Sequence, residues 1–394
     1  MKRILFFSIF LAACFSEKKT EENTSAPPQK VQDSVNHESY ERRTFHKDSL
    51  VDFSARYISG LKQNARSAFS AFEQEDFWKR YSELSEKNWN TLKEERLQPM
   101  QQWAKDSFKL WVNDTLPLFY PLSGPDYLHP EILYPGTTTF IFCALEPIID
   151  LPDLLQLNKE NRELFLQSVD NSLRDIYGKS YFITTHMQED FKSNRARGVL
   201  PVFYVFIART GHEILECSGV GIDTSGVLHD TLLVGNTSNW VKGVRFRFRH
   251  PDSDTLKELF YFSMDVSEKG QKVRPGFDKY LAGIGKFNTM IKSASYMPHY
   301  STFATLRNRI LSGSASIFQD DTGVPYKYFK NTSEWETILF GEYIHPVKDF
   351  KDYVFQKDLD SLYKSGFTIH DLPFHLGYHY ADKKQSQQIF IRKQ

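Results

Sequence analysis

The stretch LPLFYPLSGPD, residues 116–126, marks the point where the chain changes from a helical pattern to a β-type pattern. Its apolar first half predicts a β-strand, and Gly124-Pro125 predicts a turn directly after that strand. The turn would hold Asp126 and His129 at the mouth of the strand, a position where binding and catalytic residues are common. Two interpretations stay open. The carboxylate and imidazole bind a metal ion or relay a proton, or Asp126 caps its own turn.

Beyond this stretch, short apolar runs alternate with Gly and Pro and with a few helical segments. The mixture predicts an α+β body over residues 116–394 with a mixed or antiparallel sheet. The predicted strands are Leu116–Tyr120, Thr138–Leu145, Val202–Arg209, Glu213–Cys217, Val244–Arg249, Leu259–Ser263, Glu336–Gly341 and Gln388–Ile391. The predicted helices are Lys159–Ile176, Thr302–Leu311 and Asp349–Lys364.

Residues 46–115, which precede the body, repeat their apolar side chains at three- and four-residue spacing, as Leu50, Phe53 and Tyr57 do. We therefore expect an N-terminal helical hairpin or three-helix unit with one apolar stripe. Sequence echoes, such as residues 118–120 with 259–261, raise the alternative of an internally duplicated α/β unit. Its repeats would span about 116–240 and 241–394, and they would face each other across a cleft.

The N-terminus predicts export and lipid attachment. A basic start and a short apolar run precede LAAC, residues 11–14, which is a lipobox. The run is far shorter than the ~20 residues of a membrane-spanning helix, so residues 1–13 predict a signal peptide. Here the chain resembles bacterial lipoproteins, which implies a diacylglycerol and a further acyl chain, such as palmitate, on Cys14. An ordinary secretory signal with a chance cysteine is the alternative.

The polar segment from Cys14 to residue 45 predicts a disordered tether between the lipid and the folded body. Phe15 stands where the resemblance to enterobacterial lipoproteins would place the Asp associated with inner-membrane retention. We therefore expect a cell-envelope protein, periplasmic or surface-exposed, anchored to the outer membrane.

Composition limits the classes of partner. The chain has 49 basic and 49 acidic residues, so no field of one sign attracts it to nucleic acid. The expected partners are the membrane, through the lipid anchor, and a glycan, a peptide or an envelope protein.

Cys143 and Cys217 lie in apolar runs and predict buried free thiols, although export also permits a disulfide between them. The common signatures of serine hydrolases, P-loop proteins, zincins and paired-cysteine sites are absent from the sequence.

Two further polar clusters are candidates for chemistry. The first is KSASYMPH, residues 292–299, in which a serine could act as a nucleophile with Lys292 or His299 as its base. The segment could also bind an anion at the N-terminus of the helix that follows it. The alternative is that its polar residues only cap that helix. The adjacent carboxylates Asp320 and Asp321 suggest a divalent metal or acid–base chemistry, and a solvated turn is the alternative.

Two weaker patterns favour structural roles. His345, His370, His375 and His379 form a histidine-rich end, but along a strand His375 and His379 would lie about 13 Å apart, too far to share a zinc ion. Arg245, Arg247 and Arg249 alternate with apolar residues and predict an exposed sheet face with acidic partners, or a site for anionic glycan or phosphate.

The segments YPLSGPD (120–126), LEP (145–147), KSASY (292–296) and QDDTGVPY (319–326) resemble a group of bacterial envelope lipoproteins without an assigned activity. That resemblance covers residues 115–394 and implies no catalytic residue. The first hypothesis is a lipid-anchored binding module that is not an enzyme, with no cofactor established. The alternative is a hydrolase, metal-dependent or not, that acts on an envelope or environmental polymer. The candidate cleft residues are Asp126, His129, Glu146, His186, Asp265, Lys292, Ser295, His299, Asp320 and Asp321.

Overall fold

The computed structural model describes residues 49–63, 65–182, 198–230, 238–330, 332–347, 350, 355–378 and 386–393. The predicted signal peptide, Cys14, the tether, His186 and His379 lie outside these residues. The described residues belong to one compact unit, Phe45–Gln394. None of the helices in this part of the chain is long and apolar enough to cross a membrane.

The described strands form one mixed sheet. They are β1 (Leu118–Pro121), β2 (Thr139–Ala144), β3 (Glu213–Ile222), β4 (Leu228–Asp230), β5 (Val241–Arg249), β6 (Lys257–Ser263), β7 (Phe287–Ile291), β8 (Ser314–Asp320), β9 (Trp335–Phe340), β10 (Ile369–His370) and β11 (Gln387–Arg392). Their order is β10-β9-β11-β8-β7-β1-β2-β6-β5-β3-β4. The central strands β8, β7, β1, β2 and β6 are parallel neighbours, whereas β11 and β9 on one side and β5, β3 and β4 on the other add antiparallel pairs.

Helices cover both faces of the sheet. They are α1 (Ser49–Ile58), α2 (Asp76–Leu92), α3 (Gln98–Asp106), α4 (Leu128–Leu133), α5 (Lys159–Lys179), α6 (Leu200–Arg209), α7 (Glu268–Val273), α8 (Gly276–Ile284), α9 (Ala304–Gly313) and α10 (Lys357–Tyr363). The predicted α+β class is confirmed, with α1, α2 and α3 in the predicted helical unit. That unit shares one hydrophobic core with the sheet.

The central strands are buried on both faces because successive side chains of a strand point to opposite sides. Leu118 and Tyr120 of β1 pack in the core that contains α1 to α6, and Phe119 packs in the core that contains α8 and α9. The neighbouring strand reads Phe140-Ile141-Phe142-Cys143, a continuous apolar run of the kind that parallel strands buried on both faces require.

The predicted strand Val202–Arg209 is wrong, because this segment is helix α6. All ten residues of α6 are buried, so the helix is apolar around its whole circumference and shows no 3.6-residue periodicity. A short apolar run of this kind does not distinguish a buried strand from a buried helix. Pro201 in the first turn was the local signal for a helix.

The sequence missed β7 and β8 because both central strands carry polar residues. The polar side chains pair across the two strands: Ser316 Oγ lies 2.7 Å from Asn288 Oδ1, and Thr289 Oγ1 lies 2.7 Å from Ser314 Oγ. Such pairs satisfy buried polar groups inside a sheet but break the apolar pattern that marks a strand. The predicted helix Asp349–Lys364 is correct only for α10, within the described residues.

Other sequence predictions have mixed outcomes. Cys143 and Cys217 are free thiols, as expected, but only Cys143 is buried; Cys217 is half-buried. The acidic partners predicted for the arginine-bearing strand are confirmed, since Arg245 contacts Asp230 and Glu216. Arg245 is buried, however, so the exposed face is wrong at that position. The echo segments 118–120 and 259–261 fall on β1 and β6, which lie in the same sheet with β2 between them; the duplication stays a prediction.

Candidate functional site

The parallel strands create a crevice where the chain reverses its direction of travel across the sheet. From β1 the chain proceeds through β2 to β6 on one side, and then returns to place β7 and β8 on the other side of β1. In open sheets of this type, ligands bind outside the carboxyl ends of the strands at such a switch point. The fold therefore directs attention to the residues that follow β1, β2, β6 and β7.

These strand ends line a cavity of about 190 Å³. Its polar lining comes from Tyr120, Ser123, Asp126, Glu146, Tyr181, Asp265, Lys292, Ser293, Ser295 and Tyr378, and its apolar lining includes Leu122, Ala144, Phe182, Met264 and Phe303. Five of the predicted cleft residues line it together: Asp126, Glu146, Asp265, Lys292 and Ser295.

A buried ion pair forms the β1–β7 end of the cavity. Lys292 Nζ lies 2.6 Å from Asp126 Oδ2, and the two side chains are 3% and 1% exposed. Lys292 also donates to the backbone carbonyl of Ser180. Tyr120 donates its hydroxyl hydrogen to Asp126 Oδ2 at 3.1 Å. Because taking two charges out of water is costly, a pair buried this deeply is weak evidence for stability and points to a functional role.

His129 completes this cluster from α4. Its Nδ1 lies 2.8 Å from Asp126 Oδ1 and 3.1 Å from Lys292 Nζ. Since the carboxylate only accepts, we assign the Nδ1 hydrogen to Asp126, which leaves Nε2 as an acceptor. Nε2 is buried and has no hydrogen-bond partner among the described residues. The Lys292 ammonium thus supplies the positive charge beside Asp126 and His129.

The charge states follow from burial and contact. Burial alone raises the pKa of Asp126, but His129 and Lys292 outweigh it and hold that pKa well below its usual range. Burial lowers the pKa of His129 to about 4, so the imidazole is neutral at pH 7. Burial also lowers the pKa of Lys292, and the Asp126 charge opposes that effect.

Asp320 and Asp321 support the loop that follows β7 rather than lining the cavity. Asp320 Oδ2 accepts the Ser293 N–H at 2.8 Å, and Asp321 Oδ2 accepts the Tyr296 hydroxyl at 2.7 Å. Both aspartates are buried, so the solvated turn considered for them is wrong. The part of the chain that the structure describes contains no group of three or more His, Cys, Asp or Glu residues placed to hold a metal ion.

The loop itself is held in an unfavourable backbone conformation. Ser293, Ser295 and Tyr296 have φ values of +56°, +52° and +57°, in the left-handed region that non-glycine residues seldom occupy. Leu122, on the other side of the cavity, has φ +59°. Each such residue costs of order 1–3 kcal/mol, and such strain concentrates at functional sites.

Sequence analysis placed Ser293 in the KSASYMPH cluster but selected Ser295 for the candidate cleft. Ser293 Oγ is buried beside the cavity and has no hydrogen-bond partner among the described residues. A β-carbon placed on Gly377 would lie 3.3 Å from Ser293 Oγ and 2.8 Å from Asp320 Oδ2, so the glycine allows the backbone to close over both groups. The signal would have been a polar residue directly after a central strand, but β7 itself was not recognised.

The second pair of acids ends β2 and β6. Glu146 follows β2 and Asp265 follows β6, the strand that pairs with β2, and both acids line the cavity. Burial raises the pKa of Glu146. Asp265 Oδ1 accepts the Ser267 N–H at 2.9 Å.

The remaining predicted residues occupy other surroundings. Ser295 Oγ lies 2.8 Å from the Tyr378 hydroxyl at the cavity wall. His299 Nε2 lies 3.3 Å from the Asp321 carbonyl oxygen, outside the cavity lining, and burial lowers its pKa to about 4. The His370 ring packs against Trp111 and Phe340.

Comparison of the chain with protein-family models, with curated proteins and with solved structures finds no match. Fold and site together define an α+β protein with a cavity at the switch point of its parallel strands. Inferences about function therefore rest on the chemistry of this cavity.

Proposed function

We propose that the protein is a lipid-anchored cell-envelope protein that binds a small ligand, or the end of a glycan or peptide, in the switch-point cavity. One observation carries the proposal: polar groups from four strand ends converge on one cavity, and they include the Lys292–Asp126 pair. Scattered over a surface, the same groups would need no explanation. Collected in one concave site, they favour ligand recognition.

The size of the cavity limits the ligand. Its volume of about 190 Å³ is close to the ~150 Å³ engineered cavity that accepts benzene. A folded partner protein does not fit such a space, whereas a molecule with a single ring, or one end group of a polymer, does. The mixed polar and apolar lining favours a ligand that has both kinds of surface.

Thermal melting of the full-length protein in detergent tests this proposal. Amino acids, monosaccharides, amines and short peptides form the ligand panel, because a ligand at ~100 times its dissociation constant stabilises by ~2.7 kcal/mol. Ala144 lines the cavity and Ala282 is exposed on α8, so Ala144→Phe fills the site and Ala282→Phe is the matched control. We expect stabilisation in wild type and in Ala282→Phe, and none in Ala144→Phe. A panel without any stabilising compound, or an unchanged response of Ala144→Phe, contradicts the proposal.

The lipid anchor is proposed from the LAAC motif at residues 11–14. Labelling of growing cells with an alkyne analogue of palmitate should mark the wild-type protein and leave Cys14→Ser unmarked. Fractionation should then find the labelled protein with the outer membrane. Equal labelling of both proteins would rule out Cys14 as the attachment site.

A second candidate is a serine hydrolase, and Ser293 is the observation that favours it. Its backbone is strained, its hydroxyl has no hydrogen-bond partner among the described residues, and Lys292, its neighbour in the chain, is a residue type that can serve as the base of a serine nucleophile. A fluorophosphonate probe should then label wild type and Ser123→Ala, which removes another cavity serine, but not Ser293→Ala. Absence of labelling in the wild type would leave the binding protein as the working assignment.

A further inference from the structure

The charges of the cavity wall are unevenly distributed. The described lining residues include three acids, Asp126, Glu146 and Asp265, and one base, Lys292. Lys292 and Asp126 form an ion pair at 2.6 Å and neutralise each other. His129 beside them is neutral at pH 7 because burial lowers its pKa to about 4. The excess negative charge of the site therefore belongs to Glu146 and Asp265.

These two acids have no cation partner among the described residues. The Tyr261 hydroxyl donates a hydrogen bond to the Glu146 carbonyl oxygen at 2.9 Å, and its oxygen lies 3.4 Å from Glu146 Oε2. Asp265 accepts a backbone N–H through Oδ1. Burial of a carboxyl group without a positive neighbour is unfavourable for its charged form, so a cation bound beside Glu146 would stabilise that form.

The two ends of the cavity are separated by the width of the strands. Lys292 follows β7 and Glu146 follows β2, with β1 between them. Strands lie about 4.8 Å apart, which places the backbones of these two residues about 10 Å from each other. A ligand cation beside Glu146 would thus be remote from the Lys292 ammonium.

Aromatic rings provide the rest of the wall. Tyr181 and Tyr378 contact each other with ring centroids 4.7 Å apart, and Phe182 and Phe303 also line the cavity. Such rings receive an apolar body and attract a cation through their faces. The buried hydroxyl oxygen of Ser293, which has no partner among the described residues, offers one further hydrogen-bonding position.

We infer that the ligand of this cavity is a small organic amine, with its ammonium group between Glu146 and Asp265 and its apolar body against the tyrosine and phenylalanine rings. The inference rests on the proposed binding function and adds the chemical class of the ligand. The ammonium supplies a counter-charge that the described residues do not give these two carboxyl groups. The volume of about 190 Å³ accommodates one ring with a short amine arm.

Three compounds of nearly equal shape test the inference: benzylamine, benzyl alcohol and benzoate, titrated calorimetrically into the full-length protein in detergent. Ala144→Phe in the same detergent corrects for partition of the compounds into micelles. We expect benzylamine to bind at least roughly tenfold more tightly than benzyl alcohol, and benzoate not to bind.

Three variants locate the ammonium group within the cavity. Glu146→Gln and Asp265→Asn should each reduce the preference for benzylamine, because each removes one carboxylate. Both preserve side-chain shape, and the amide oxygen introduced by Asp265→Asn would still accept the Ser267 N–H. Asp252→Asn, at an exposed acid, should not change the preference.

The outcomes separate the two proposals. If benzyl alcohol binds as tightly as benzylamine and Ala144→Phe abolishes both, the cavity binds ligands but the amine inference is wrong. If the wider panel yields a ligand that depends on the cavity while benzylamine does not bind, again only the amine inference is overturned. If no compound binds in either experiment, both proposals are overturned.

Discussion

Removal of the Lys292 charge should destabilise the protein far more than removal of a similar exposed charge. Lys292→Met keeps most of the side-chain length but leaves Asp126 buried and without its ammonium partner, and the Ser180 carbonyl loses a donor. Breaking a buried ion pair on one side costs about 3–5 kcal/mol. Protonation of His129 would replace part of the lost positive charge, so we expect a loss near the lower end, about 3 kcal/mol.

Urea unfolding at pH 7, followed by tryptophan fluorescence and by circular dichroism, measures this loss. Lys330→Met is the matched control, because Lys330 lies 2.7 Å from Asp358 with both side chains 44% exposed. An exposed pair contributes about 0–1 kcal/mol, so the two variants differ mainly through burial. Lys292→Met/Asp126→Asn should recover about 2 kcal/mol, because no uncompensated charge remains. A loss below about 1 kcal/mol in Lys292→Met, or a double variant no more stable than the single one, would refute the reasoning.

Three further predictions concern the surroundings of the cavity. Gly377→Ala should cost more stability than Gly366→Ala and should weaken ligand binding. Both glycines have positive φ, but only at Gly377 would the added carbon lie 2.8 Å from Asp320. Equal urea midpoints of the two variants would contradict this. The pKa of His129 falls from ~6.5 in the unfolded chain to about 4 in the folded protein, so stability should decrease as pH falls through that window and His129→Asn should remove the decrease. The raised pKa of Glu146 has the opposite effect on stability, which should decrease as pH rises from ~4.3 through the raised pKa. Glu146→Gln should therefore become more stable relative to wild type as pH rises. Parallel pH profiles of stability for the two proteins would be evidence against this.

Part of the site could be predicted because residues that directly follow neighbouring parallel strands in the sequence come together at one edge of the sheet. Asp126 and Glu146 each stand a few residues after an apolar run, and the carboxyl ends of neighbouring parallel strands meet at one edge of the sheet. Polar residues after predicted strands were therefore reasonable candidates before any fold was known. Five of the candidate residues do line one cavity.

The rest of the site could not be predicted, because it depends on contacts between distant segments that no local sequence pattern indicates. Asp320 ends β8 and Asp321 directly follows it, but both carboxylates contact the loop after β7. The strands β7 and β8 contain polar residues that pair with each other in the folded sheet, so neither strand resembles a core element when read alone. Without β7, the loop that follows it had no place in the predicted sheet, so nothing distinguished Ser293 from Ser295 within the KSASYMPH cluster.

The distribution of unfavourable features argues for a function at the cavity. The non-glycine residues with positive φ in the described part of the chain are Leu122, Ser180, Ser293, Ser295 and Tyr296. Leu122, Ser293 and Ser295 line the cavity, the Ser180 carbonyl contacts Lys292, and Tyr296 directly follows the lining serine Ser295. At about 1 kcal/mol or more for each, these conformations together cost several kcal/mol, comparable with the net stability of many domains. The same place holds the buried Lys292–Asp126 ion pair and the buried Ser293 hydroxyl, which has no hydrogen-bond partner among the described residues. Backbone strain of independent origin would be scattered through the molecule, whereas in a site shaped for a ligand the strained residues gather where the ligand offsets their cost.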